Sequence, residues 1–166
     1  LLVSRIGTID PALLRGVPQD ALTGFLGDCV IQHITTRREI LHQGEPGAYA
    51  YLILSGSIEV NFLDINGNAI LAHLARPGEV MGEIEIFSGK TCAATCIAVA
   101  GSTLAQFTAA TLMKHVAPDI LLRNFAGIAH DRLMRDNQQQ SLAMFYTAEN
   151  RIRVCLLSLT SPAQPE

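Results

Sequence analysis

The residues of this chain best equipped for chemistry are its four cysteines, Cys29, Cys92, Cys96 and Cys155, and its five histidines, His33, His42, His73, His115 and His130. Thiolates and imidazoles bind soft and borderline metals, and a thiolate is also a nucleophile and a redox centre. Their spacing does not favour those uses. No CxxC pair occurs, and Cys92 and Cys96 would lie roughly 13 Å apart on one strand, too far for a shared metal. Buried core thiols are the expectation for all four. A Cys92 thiol that senses oxidation or a metal is the sharper alternative. His73 and His130 are the candidate haem ligands, set against the plainer reading of packed or solvated rings. No His-x-His with a following Glu is present, and no nucleophile–base pair stands out, so neither a metal site nor catalysis is expected.

The elements that must position these residues are legible from punctuation. Residues 9–30 read as short helices, with Asp10 and Asp20 as candidate caps and Leu13, Leu14, Leu22, Phe25 and Leu26 as the apolar faces. From 31 to 109, strand-like runs alternate with Gly- and Pro-bearing breaks: Ile31–Thr35, Glu39–Leu41, Ala50–Ser55, Ser57–Leu63, Ala69–Leu74, Ala93–Ala100 and Thr103–Phe107. Asn66-Gly67 suggests a hairpin with a type I′ turn. Short strands at this spacing imply a jelly roll, a mainly β fold with flanking α. After 109 the helical period returns. One short helix carries Leu112, and a long one spans about 119 to 145. That helix has two adjacent apolar stripes, Leu121, Phe125, Ile128 with Arg132, and Leu122, Ala126, Ala129 with Leu133. One stripe can cover the chain's own body and the other a second subunit, giving a homodimer seam at Leu121, Phe125, Ile128, Arg132 and Leu133.

Composition sets the bounds. Apolar residues form 49% of 166 and charged ones only 16%, so the chain can bury a core but has few charges to coat it. A net charge of −3 excludes a strongly basic nucleic-acid binder. No apolar run reaches the ~18 residues of a membrane span. With sparse cysteines, a cytoplasmic setting follows. Ala148–Leu159 reads as one more amphipathic helix with little of its own to pack against, so 148–166 is expected to open a further, truncated domain. The start at Leu1 rather than Met suggests upstream residues too.

Several stretches, taken in order, resemble the CRP/FNR family of bacterial transcription regulators. They are Leu41-His42-Gln43-Gly44-Glu45, Tyr51–Ile58, Pro77-Gly78-Glu79-Val80-Met81-Gly82-Glu83-Ile84, Val116–Arg123 and Glu149-Asn150-Arg151-Ile152. The resemblance covers nearly the whole chain. It implies a cyclic nucleotide-binding-like roll (31–109) after an N-terminal helical segment (1–30), then a short helix and a dimerisation helix (110–147). A winged helix-turn-helix that binds DNA would begin at 148–166. In the family, Gly82-Glu83 would open the phosphate-binding cassette, and Glu83 would accept the ribose 2′-hydroxyl.

The sequence departs from that pattern where the family places an Arg and then Ser or Thr on the cyclic phosphate. Those positions hold Cys92 and Ala93, after Lys90 and Thr91. The family's base-facing polar pair falls near Arg135 and Asp136. Losing one partner of a buried charged pair costs ~2–5 kcal/mol. The expected pocket of Gly82, Glu83, Ile84, Lys90, Thr91, Cys92, Ala93, Arg135 and Asp136 is therefore a poor one for cyclic AMP, and the effector is unassigned. The rival expectation is a stand-alone module of the same type that regulates a partner protein.

Overall fold

Short apolar runs between Gly- and Pro-bearing turns fold as eight antiparallel strands in the computed structural model of the protein. It describes residues 9–63 and 66–145, with Glu149, Ile152 and Leu156. The strands are β1 Val30–His33, β2 Arg38–Leu41, β3 Ala50–Ser55, β4 Ile58–Leu63, β5 Ala69–Ala75, β6 Val80–Met81, β7 Thr95–Ala98 and β8 Thr103–Phe107. They form two four-stranded sheets, ordered β1-β8-β3-β6 and β2-β7-β4-β5. The jelly roll expected from the strand spacing is the observed architecture. Ile53, Met81 and Leu104 from the first sheet share one core with Leu41, Ile58, Cys96 and Ala98 from the second.

β3 is buried on both faces, which is why its run AYLILS is almost wholly apolar. Beyond that sheet lie α1 (Gln19–Asp28) and α3 (Ala109–His115), with Phe25 meeting Phe107 edge-on at 5.1 Å. Edge-to-face contact suits the charge distribution of two rings. Thr108 caps α3 through its hydroxyl, which accepts the Thr111 N–H at 3.2 Å. α2 (Glu83–Ser88) is a short helix between β6 and β7, and α4 runs Pro118–Phe145. The chain divides into two units, Leu1–Phe125 and Ala126–Glu166.

Some local expectations are corrected. Neither Asp10 nor Asp20 caps a helix: Pro11 and Pro18 hold those positions, without a side-chain cap bond. Asp10 pairs with Arg15 instead, and Asp20 sits within the first turn of α1, where its charge still favours the helix dipole. The hairpin expected around Asn66-Gly67 is present, with β4 and β5 paired as far as Leu63 opposite Ala69. Gly67 in the connection has φ 81, the left-handed conformation such a turn uses. β6 was not expected, because Val80-Met81 is too short to show alternation. Ala93–Ala100 shrinks to Thr95–Ala98, and a bond to the side chain of Glu85 engages the N–H of Ala93. The expected helix Ala148–Leu159, the segment 148–166 as a whole and Cys155 fall outside the continuously described residues.

Candidate functional site

The chain reverses at Gly82, whose φ of 85 lies in the left-handed region. A Cβ there would stand 2.7 Å from the Tyr49 carbonyl oxygen, so both the turn and the close approach require glycine. The reversal feeds β6 into α2 and turns Glu83 inward, where it is 0% exposed. Ile84 points the other way and is 42% exposed. α2 ends at Gly89, whose N–H donates to the Glu85 carbonyl at 2.9 Å.

The loop after α2 is strapped to the segment following β2. The Cys92 N–H donates to the Glu45 carbonyl at 2.8 Å, and the Gly44 N–H donates to the Cys92 carbonyl at 2.8 Å. Pro46 and Thr91 form a bridge beside them. Lys90, Thr91 and Ala93 are exposed, whereas Cys92 is 4% exposed and belongs to the shared core. Burial raises the Cys92 thiol above its ordinary value, and the Glu85 carboxylate raises it further. A reactive cysteine needs the opposite, an electropositive setting that favours thiolate.

Glu85 was not singled out from the sequence, yet it lies at the centre of this cluster. One carboxylate oxygen accepts the Ala93 N–H at 3.2 Å. Its stem packs over Gly47, where an added Cβ would meet Glu85 Cβ at 2.9 Å and Cys92 Sγ at 3.3 Å. The sequence signal is a second acid two residues after Glu83, in a helix whose other positions are mostly apolar. Nothing in the spacing reveals that Gly47 makes room for it.

Gly82, Glu83, Ile84, Lys90, Thr91, Cys92 and Ala93 thus belong to one locality of the first unit. Arg135 and Asp136 lie on α4 in the second unit, Arg135 half-buried and Asp136 exposed. Of the expected seam residues, Leu121 is buried within the first unit, and Phe125 meets Phe87 edge-on at 5.1 Å. Ile128 and Arg132 are half-buried, whereas Leu133 is 59% exposed. Leu122 is 73% exposed and lines an apolar groove of about 330 Å³ with Phe87, Met113, Val116 and Phe125. The His73 ring meets Glu79 at 2.7 Å, and His130 is exposed. Among the described residues, no group of three or more His, Cys, Asp and Glu side chains could hold a metal ion. Among them too, no helix is long and apolar enough to cross a membrane.

Residues 31–118 match the family model of the cyclic nucleotide-binding domain. The chain is 28% identical over 159 residues to the cAMP-activated global transcriptional regulator CRP of Escherichia coli, covering 93% of this chain and 74% of that protein. Its fold is similar to the Thermus thermophilus catabolite activator protein, with a TM-score of 0.70 at 21% identity over 81% of this chain. That match spans 63% of the Thermus protein. It is also similar to the c-di-GMP responsive global regulator CLP of Xanthomonas campestris, with a TM-score of 0.74 at 18% identity, covering 89% of this chain and 75% of that one.

Proposed function

Because the chain belongs to the cyclic nucleotide-binding domain family, we infer that it is the effector-sensing and dimerising region of a bacterial CRP/FNR-type transcription regulator. The reading is non-catalytic, in keeping with relatives that are regulators. Its pocket is centred on Gly82, Glu83 and Ile84, followed by Lys90, Thr91, Cys92 and Ala93. Arg135 and Asp136 are the residues proposed to face a ligand's far side. α4 forms the seam with a second copy. DNA recognition belongs, in this reading, to a winged helix-turn-helix carried beyond these 166 residues, and the working compartment is the cytoplasm.

The observation that carries the pocket is the inward turn of Glu83 directly after the left-handed Gly82, in a chain of this family. The same locality argues against cyclic AMP as a standard effector. The position that the resemblance assigns to a phosphate-binding Arg is a buried neutral thiol, and the hydroxyl position is Ala93. Losing a buried charge-assisted pair costs ~2–5 kcal/mol, and each ~1.4 kcal/mol is tenfold in affinity. Whatever the effector, it can bias the seam only by binding one arrangement of it better than the other.

Calorimetric titration of the purified chain with cyclic AMP at moderate salt tests this reading. The expected result is no detectable binding at micromolar concentrations. Micromolar or tighter binding would overturn the departure from cyclic AMP and assign the phosphate to Lys90 or Thr91.

A further inference from the structure

We propose that the Glu85 carboxylate is a tethered anion that fills the place where an effector's anionic group would sit, and so sets this pocket against anionic ligands. The proposal rests on the pocket assignment made above. Three contacts place it. Glu85 accepts the Ala93 N–H at 3.2 Å, and Ala93 directly follows Cys92, the two positions at which an anion's partners are expected. A backbone N–H is a single donor, so a ligand oxygen can use this one only by displacing the carboxylate. The stem of Glu85 lies against Gly47, where any Cβ would stand 2.9 Å from its own. Cys92 Sγ converges on that same glycine at 3.3 Å. Gly47, Glu85 and Cys92 are therefore one cluster. A glycine makes room for the acid, the acid occupies the donor, and a small thiol stands where a cation would otherwise pair.

The consequence is electrostatic as well as steric. A phosphate brought to Ala93 meets a like charge held half-buried, where water screens it less than at an open surface. The missing Arg and the added acid act in the same direction. Replacing Cys92 by Arg does not by itself restore anion binding, because the new guanidinium finds Glu85 already beside it. The ligand class left to this pocket is one with no anion at that position.

The test is a calorimetric titration of cyclic AMP into four forms: the unaltered chain, Cys92→Arg, Glu85→Ala and the double variant. The expected result is little gain from either single change. The double variant should bind at least about tenfold more tightly than the product of the single effects, as coupled neighbours do. If Cys92→Arg alone binds as tightly as the double variant, the proposal is overturned and the pocket assignment stands. If no form binds while all four melt cooperatively, the proposal and the pocket assignment fall together. Should the Arg variants not fold, the Ala93 amide resonance is followed against pH in the unaltered chain and in Glu85→Gln. A resonance that tracks a carboxylate titration only in the unaltered chain supports the contact, and one indifferent to Glu85 overturns it.

Discussion

At the scale of single residues, the described cysteines Cys29, Cys92 and Cys96 are placed for packing rather than for chemistry. Burial, helped by the neighbouring Asp28 charge, pushes the Cys29 thiol up to about 12. Cys92 is raised for the same first reason, with Glu85 adding to it. The thiolate is the nucleophile, so both sites should resist alkylation at pH 8. Peptide mapping after iodoacetamide treatment is expected to show both labelling at least about tenfold more slowly in the folded chain than in urea. Equal rates would return Cys92 to the list of redox sensors. Glu85 teaches the complementary lesson. Its type was visible in the sequence, but its importance comes from Gly47 and Ala93, which the pairing of Gly44 and Glu45 with Cys92 brings to it.

Among the elements, the turn from β6 into α2 carries the site. Gly82→Ala would hold a residue with a Cβ in the left-handed region, which costs roughly 1–2 kcal/mol, and press that Cβ against the Tyr49 carbonyl oxygen. Chemical denaturation is expected to show a loss of at least about 2 kcal/mol, with the inward seat of Glu83 disturbed. A change below about 0.5 kcal/mol, typical of indifferent surface sites, would mean that the turn re-forms elsewhere. The strand runs were legible because Gly and Pro bound them and their side chains fit a pleated, buried surface. Ala50–Ser55 and Thr103–Phe107 carried their own limits. Helix starts were less legible: Asp20 has the right type for a cap, but Pro18, which fixes its own φ, opens α1 two residues earlier than the acid suggests. The motif made the cassette legible, not its spacing alone, and β6 was invisible at two residues.

For the whole molecule, the exposed apolar residues of α4 are the feature that bears on assembly. In the first unit, the opening turns of α4 are anchored by Asn124, a buried amide that donates to the carbonyls of Leu13 and Arg15 at 2.9 Å each. Within that unit Leu121 is buried and Leu122 is 73% exposed, and in the second unit Leu133 is 59% exposed. Substituting Leu122→Glu with Leu133→Glu should weaken a homodimer about a hundredfold or more, the scale of losing central apolar anchors. Sedimentation of the unaltered chain should show the dimer, and the double variant the monomer at the same micromolar concentration. An unaltered chain that stays monomeric would remove the seam from the proposal. The hairpin β4–β5 has a different bearing on the whole. β5 is the outer strand of its sheet, its run AILAHLA contains no Asp, Glu, Lys or Arg, and Ile70 and Leu71 are exposed along it. The opposite edge, β2, carries Arg38 and Glu39. Charges on an outer strand obstruct edge-to-edge pairing with another chain, and β5 lacks that guard. With a net charge of −3 to keep copies apart, β5 is an edge open to strand addition, so the colloidal behaviour of this chain depends on a strand that contributes no residue to its pocket.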